Sequence, residues 1–317
     1  MRKRVLYIGN FEPTFSTESH VRDSLRELGV EVVEAQESTA SLSALDRQMG
    51  EVDLLLYTRT WGLRDPDALR WITSLPLPTV SYHLDLYAGL PRGRNLHQDP
   101  FWRTQHVFTP DGGSDGFFRA QGIQHHYLKP GVFGAECTLA EVDPATPRVE
   151  VCFVGSYDYH PEWPYRRRLV DFLAETYGRR FTKHGSPQSS VRGADLNRLY
   201  ASAKVVVGDS LCLGFDHPRY WSDRIYETLG RGGFLIHPYI AGLEEELGDR
   251  EHVVFYPFGD FATLERLIDY YLEHDDEREA IRRAGHERVK SSCTYVHRMR
   301  EMLTVLGEHH AALRGWV

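Results

Sequence analysis

Short apolar runs alternate along the whole chain with segments in which apolar residues recur every three or four positions. Residues 5–9 read as a buried strand. Residues 17–28 read as a helix, because Val21, Leu25 and Leu28 share one face and Gly29 stands where a C-cap belongs. Strand-like runs follow at 30–33, 52–57, 79–83, 106–109 and 124–128, with helical or turn segments between them. Such alternation predicts βα units around a parallel sheet.

Between 130 and 148 the periodicity fails and Pro130, Gly131, Pro144 and Pro147 accumulate, which marks a linker. A second series then begins, with strands at 149–155, 180–184, 204–208, 234–237 and 253–256 and helices at 164–177, 193–202 and 222–230. From 260 onward the chain is helical and rich in charge. The expected organisation is a Rossmann-like domain over 1–132, a second over 149–300, and a last segment, 301–317, packed back on the first. Two open α/β units in series place the default ligand site at the carboxyl ends of their strands.

Composition narrows the classes without changing this picture. The 317 residues suffice for two ordinary domains, and 41% hydrophobic with 26% charged residues is a globular balance. A formal net charge of −8 argues against a surface built for indiscriminate nucleic-acid binding, while leaving room for a local basic groove. The cluster Arg166, Arg167, Arg168, Arg179 and Arg180 reads as a solvated helix face. Cys137, Cys152, Cys212 and Cys293 lack C-x-x-C spacing and read as small core residues rather than disulfide or zinc ligands. No apolar run is long enough to cross a bilayer, and 5–8 is too short for a signal-peptide core, so the expectation is a cytoplasmic protein without membrane insertion.

The most informative stretch runs from Tyr220 through Ser222-Asp223-Arg224-Ile225-Tyr226-Glu227 to Gly230-Arg231-Gly232-Gly233-Phe234. Arg224 and Glu227 are three apart on a predicted helix and share a face. A guanidinium suits a diphosphate, and a carboxylate accepts hydrogens from two ribose hydroxyls, so one face could hold both ends of a nucleoside diphosphate. An ordinary surface ion pair is the competing reading. The glycines after it permit close packing or close approach to a ligand.

Other strand-end loops offer further candidates. Gly155 and Ser156 follow the first strand of the second series and could present backbone N–H groups and a hydroxyl to a phosphate; His184, in His184-Gly185-Ser186, and Asp209 end later strands. Near the start, Ser16 or Thr17 caps a helix, and Glu18 and His20 follow in a loop-to-helix position where an acceptor could be touched. His83 and Asp85, two apart at a strand terminus, could bind or deprotonate a hydroxyl, with a capped, satisfied pair as the alternative. Asp111 fits a turn equally well. Asp65-Pro66-Asp67 matches a metal-binding D-x-D pattern, yet an N-cap aspartate, proline at the first helical position and an acid in the first turn describe a helix start, so it reads as structural.

The block Arg224-x-x-Glu227 with Gly230, Gly232 and Gly233 resembles the R-x-x-E-x-x-x-x-G-G pattern of GT-B glycosyltransferases of the CgeB type, within the glycosyltransferase group 1 class. That resemblance, which covers about 149–302, implies two Rossmann-like domains facing a central cleft and a retaining sugar transfer from a nucleotide-diphosphate donor. It implies Glu227 on the ribose, Arg224 with Gly155 and Ser156 on the diphosphate, His184 and Asp209 beside the donor, and His83 on the transferred sugar. It implies no cofactor and no essential metal, the nucleotide sugar being a co-substrate. One departure stands out: eight positions before Glu227, where the wider group carries a second glutamate, this chain has Arg219, with Asp216, His217 and Asp223 as nearby substitutes.

The opening Tyr7-Ile8-Gly9-Asn10-Phe11-Glu12-Pro13 with Ser16-Thr17-Glu18-Ser19-His20 resembles glycosyltransferases encoded by bacteriophages of actinobacteria. A hydroxymethylated pyrimidine in phage DNA then becomes the expected acceptor, with Glu18 and Arg92 on the acceptor side, Arg94 and Arg103 lining a basic groove, and His20 beside His83 and Asp85. A glycan or small-molecule acceptor stays open. So do a nucleotide-sugar epimerase and a non-catalytic nucleotide-sugar-binding protein on the same scaffold.

Overall fold

The computed structural model describes residues 3–142, 149–157, 165–185, 190–210 and 218–317. Pro144, Pro147, Ser186, Cys212, Asp216 and His217 lie outside the described residues. The chain forms two compact units, one of Met1–Pro130 with Tyr295–Val317 and one of Gly131–Thr294.

In the first unit β1 (Arg4–Gly9), β2 (Glu31–Gln36), β3 (Leu54–Thr58), β4 (Thr79–Tyr82), β5 (His106–Thr109) and β6 (His125–Tyr127) form a parallel sheet in the order β2-β1-β3-β4-β5-β6. The connections carry α1 (Thr17–Glu27), α2 (Leu42–Gln48), α3 (Pro66–Ser74) and α4 (Asp115–Arg119). Strands β1, β3, β4 and β5 are almost wholly buried, as a sheet covered by helices requires, with β1 and β3 predominantly apolar on both faces. Ser16 is the N-cap of α1, its hydroxyl accepting the Ser19 N–H at 3.0 Å. At α3 the Asp65 carboxylate accepts the Asp67 N–H at 2.9 Å and also the Leu42 N–H at 2.8 Å, joining two helix starts. The D-x-D pattern is thus used to begin a helix.

In the second unit β7 (Val149–Val154), β8 (Phe181–His184), β9 (Ala203–Val207), β10 (Leu235–Pro238) and β11 (Val254–Tyr256) form a parallel sheet in the order β11-β10-β9-β7-β8. Its helices are α5 (Tyr165–Tyr177), α6 (Gly193–Ser202), α7 (Arg224–Gly230), α8 (Phe261–Glu273) and α9 (Asp275–Ser292). The segment expected as a linker begins this unit. Val132 bridges to Thr294, and the Asn197 side-chain amide donates to the carbonyls of Glu136 and Thr138 at 3.0 and 3.1 Å. The chain returns to the first unit at Tyr295, where α10 (Tyr295–His309) packs on α1; the Arg298 guanidinium donates to the Pro130 carbonyl at 2.8 Å.

Both sheets contain a switch point. The chain runs from β1 to β2 on one side and then crosses to β3 on the other; it does the same from β7 to β8 and then β9. Loops leaving the carboxyl ends of β1 and β3, or of β7 and β9, diverge there and leave a crevice in each unit.

The β7 and β8 ends are held together by glycine. The Gly155 N–H donates to the His184 carbonyl at 2.8 Å, and Gly185 has φ +105° with the Gly155 backbone 2.7 Å from where its Cβ would lie. Gly185→Ala is therefore expected to lower stability by about 2 kcal/mol through a forbidden φ and a backbone clash, visible as a lower melting temperature. An unchanged melting temperature would show that the two loops can separate freely.

Candidate active site

In the second unit the site grows from the β7/β9 switch point. Asp209, two residues beyond β9, accepts Arg166 Nε at 2.9 Å, and Arg166 Nη1 donates to the Ser156 carbonyl at 3.3 Å. One guanidinium thus joins the two loops that diverge from adjacent strands. The side chains are 11% and 4% exposed, so this is a buried ion pair. The reading of Arg166 as part of a solvated face is overturned here, while Arg167, Arg168, Arg179 and Arg180 are exposed. The signal was available: Arg166 lies three, four and seven positions before the buried Leu169, Val170 and Leu173, on the inward stripe of α5.

The same loop after β9 is tied to the start of α7. The Ser210 hydroxyl is buried and accepts the Ser222 N–H at 3.1 Å, two residues before Arg224. Arg224 Nη1 lies 2.7 Å from Glu227 Oε2, with the side chains 30% and 16% exposed. The pair is half-buried rather than an exposed surface pair. Burial opposes the Arg224 charge, but the Glu227 carboxylate outweighs it and holds the guanidinium protonated above its ordinary range, with Tyr200 and Asp223 adding to the effect. A cation and a carboxylate stand one turn apart at the start of α7.

The glycines that end and follow α7 serve packing. A Cβ on Gly230 would lie 2.9 Å from Cys137 Sγ, one on Gly232 2.5 Å from Leu139, and one on Gly233 2.8 Å from Thr228. Arg231 between them is buried, donating to Asn197 Oδ1 at 2.5 Å and pairing with Glu136. Arg219 takes a positive φ of 64° and donates to Glu245 at 2.8 Å, so the place of the missing glutamate is used for a surface pair. His184 ends β8, half-buried, with its pKa lowered by burial and by Lys183. Cys137, Cys152 and Cys293 are buried and are not joined in a disulfide among the described residues.

In the first unit Glu18 is buried beside the β1/β3 switch point. Its Cγ is 2.8 Å from where a Gly9 Cβ would lie, and its carboxylate accepts the Thr60 hydroxyl. Burial raises its pKa. Glu37, which the sequence reading passed over, orders the same loop by accepting backbone N–H groups of Thr60, Trp61 and Gly62 at 3.2, 2.6 and 3.1 Å. His20 is buried further along α1, with its ring 6.3 Å from that of Tyr295.

His83 immediately follows β4. Its Nδ1 accepts the Asp85 N–H at 3.2 Å, and its Nε2 lies 3.3 Å from the Tyr87 hydroxyl. A backbone donor at Nδ1 places the neutral ring's proton on Nε2, which makes Nε2 a hydrogen-bond donor facing the Tyr87 hydroxyl. The loop is braced by the buried Asp111, which accepts the N–H groups of Tyr87 and Ala88 at 2.9 Å each. Arg92 donates to the Leu86 carbonyl at 2.8 Å, lies 3.8 Å from Asp85 and covers the Tyr87 ring, so much of its capacity is spent on the loop. Arg94 and Arg103 are exposed, and Arg59, also unforeseen, lies over Phe101 and pairs with Asp99.

Burial lowers the His83 pKa to about 4; Asp85 works against this, and Arg59 and Arg92 reinforce it. With the folded value below the unfolded one, the neutral ring is favoured in the fold, and stability from this group is lost as the pH falls from about 6.5 through 4. Between pH 6 and 9 His83 keeps one protonation state. Its substitution by glutamine is accordingly expected to leave the shape of the kcat/KM profile unchanged over that range; an inflection near 6.5 present only in the parent protein would contradict the assignment.

Residues 166–304 match the model of a family described as glycosyl transferase-like. No curated protein sequence matches the chain. Among solved structures, an alpha-glucosyltransferase in complex with UDP and a 13-mer DNA containing an HMU base superposes with a TM-score of 0.69 at 9% identity, over 97% of this chain and 100% of that one. HepE of Anabaena, in complex with UDP and glucose, gives 0.64 at 13% identity over 97% and 100%. A glycosyltransferase from Rickettsia africae gives 0.62 at 11% identity over 99% of both chains. At such identities the structural likeness establishes the fold, the two-unit GT-B architecture, and within it residues 166–304 resemble the glycosyl transferase-like family.

Proposed function

We propose that the protein transfers a sugar from a nucleotide-diphosphate donor to a hydroxyl group, the donor being held by the second unit. The observation that carries this reading is the Arg224–Glu227 pair, half-buried at the start of α7 and inside the segment that matches the glycosyl transferase-like family. Glu227 accepts the ribose hydroxyls. Arg224 opposes the charge that grows on the diphosphate as the glycosidic bond breaks, and Ser156 adds a donor on the same diphosphate, whereas the Gly155 N–H, expected to do so, is held by the His184 carbonyl. No metal takes part in this step as proposed. His83 donates Nε2–H to a hydroxyl of the sugar, and Asp85 holds the histidine loop through Arg92.

For the acceptor we propose a hydroxymethylated pyrimidine in DNA, with Glu18 on the acceptor side. Its support is the resemblance of residues 7–20 to phage glycosyltransferases, together with a structural neighbour described as bound to UDP and HMU-containing DNA. Mass spectrometry of the products after incubation with a panel of nucleotide sugars tests both parts, using duplexes with and without 5-hydroxymethylpyrimidines and free glycans as acceptors. A hexose or pentose increment confined to the modified duplex is the expected result. An increment on glycans alone would replace the acceptor, and donor interconversion without any acceptor would replace transfer by epimerisation.

A further inference from the structure

A group of histidines away from these residues plays no part in that chemistry. His106 opens β5, His126 lies in the middle of β6, His309 ends α10 and His310 follows it, all within the first unit. His106 Nδ1 is 2.9 Å from His126 Nε2, and His106 Nε2 is 2.7 Å from His310 Nε2. The His309 ring centroid lies 5.0 Å from that of His106 and 5.5 Å from that of His126. One ring nitrogen from each of His106, His126 and His309 falls within 4.8 Å of the other two.

A run of hydrogen bonds through His310, His106 and His126 accounts for the two short contacts. It does not account for His309, which is exposed and yet brings a nitrogen to the same point. We propose that His106, His126 and His309 form a site for one borderline divalent cation, of the class of zinc(II), nickel(II) or copper(II). Imidazole sets of this kind favour those ions over magnesium or calcium. Tetrahedral bonds of about 2.0–2.1 Å would separate the ligand nitrogens by roughly 3.3 Å, which the observed spacing reaches with side-chain shifts of about 1 Å or less. With Nδ1 of His106 on the ion, its Nε2–H donates to His310, the outer partner that fixes the ring's tautomer. The exposed His309 leaves the remaining position to water.

The ion fastens the end of α10 to the edge of the first sheet. His106 begins its strand, whereas His83 follows the end of the neighbouring β4, so these two histidines stand at opposite ends of their strands. Its role is structural, and it stands whether or not the proposed acceptor is correct.

The test is equilibrium dialysis of the untagged full-length protein against zinc(II), with metal counted by mass spectrometry, alongside copper(II) titration followed by electron paramagnetic resonance. The parent protein is expected to bind one ion per chain at micromolar free zinc, to show nitrogen couplings with copper, and to melt at a higher temperature when loaded. His309→Ala changes an exposed side chain, so it should fold, and it is expected to weaken binding by about tenfold or more. His126→Gln with His309→Ala should remove the stoichiometric site and the thermal shift together. Absence of a one-to-one site in the parent, or equal binding by the double variant, would overturn the assignment.

Discussion

Replacing Glu227 by alanine is expected to weaken nucleotide-sugar binding by at least about a hundredfold, because each hydrogen bond from a ribose hydroxyl to a charged acceptor contributes about 1.5–3 kcal/mol and two are lost. The change should fall mainly on donor affinity and little on stability. The ion pair with Arg224 is partly exposed, and pairs so placed contribute about 1 kcal/mol or less. Glu227→Gln keeps the shape and one acceptor, so an intermediate affinity is expected from it. Calorimetric titration of parent and variants with a panel of nucleoside diphosphates and their sugars reads all of this directly. Undiminished affinity in the alanine variant would remove the donor from α7 and with it the proposed roles of Arg224 and Glu227.

The strands and helices were legible because each follows from a local pattern. The runs at 106–109 and 193–202 predict β5 and α6 to the residue, and the Asp65-Pro66-Asp67 start was readable as a cap because capping depends on neighbours in sequence. Less legible was anything decided by contacts distant in sequence. Asp209 and Arg166 are 43 positions apart, and nothing local to either announces the other. Glu37 binds a loop more than twenty residues away through backbone donors that any residue type could supply. The glycines at 230–233 were ambiguous for the same reason: packing and ligand approach demand the same missing side chain, and only the positions of Cys137, Leu139 and Thr228 decide for packing.

His83 shows how a residue can be found by its place while its chemistry stays hidden. Its position after β4 singled it out, but whether it acts as a base depended on a backbone N–H two residues on and on the rings around it. With Nδ1 already accepting and the pKa depressed by burial, a proton-accepting role toward substrate is the less suited of those considered. The group left to assist an acceptor hydroxyl must then come from elsewhere, and a leaving diphosphate oxygen is itself a base of the right kind. Such a route puts the weight of the reaction on the residues that hold the diphosphate.

Asp209→Asn is expected to destabilise the second unit by about 3–5 kcal/mol, since it leaves the Arg166 charge buried without its counterion. For a unit of this size that corresponds to roughly 10 °C in melting temperature. Arg166→Met should cost a similar amount for the converse reason. The combination Arg166→Met with Asp209→Leu separates architecture from function: an apolar pair of similar volume often restores most of the stability that either single change removes. If the pair only braces the β7 and β9 loops, the double variant regains both melting temperature and turnover. If Arg166 also helps hold the diphosphate, as its place at the switch point beside the Ser156 carbonyl implies, the double variant regains its melting temperature while donor affinity stays at least about tenfold weaker, the scale of one lost charge-assisted hydrogen bond. We expect the second outcome; full recovery of affinity would reduce Arg166 to a structural clamp.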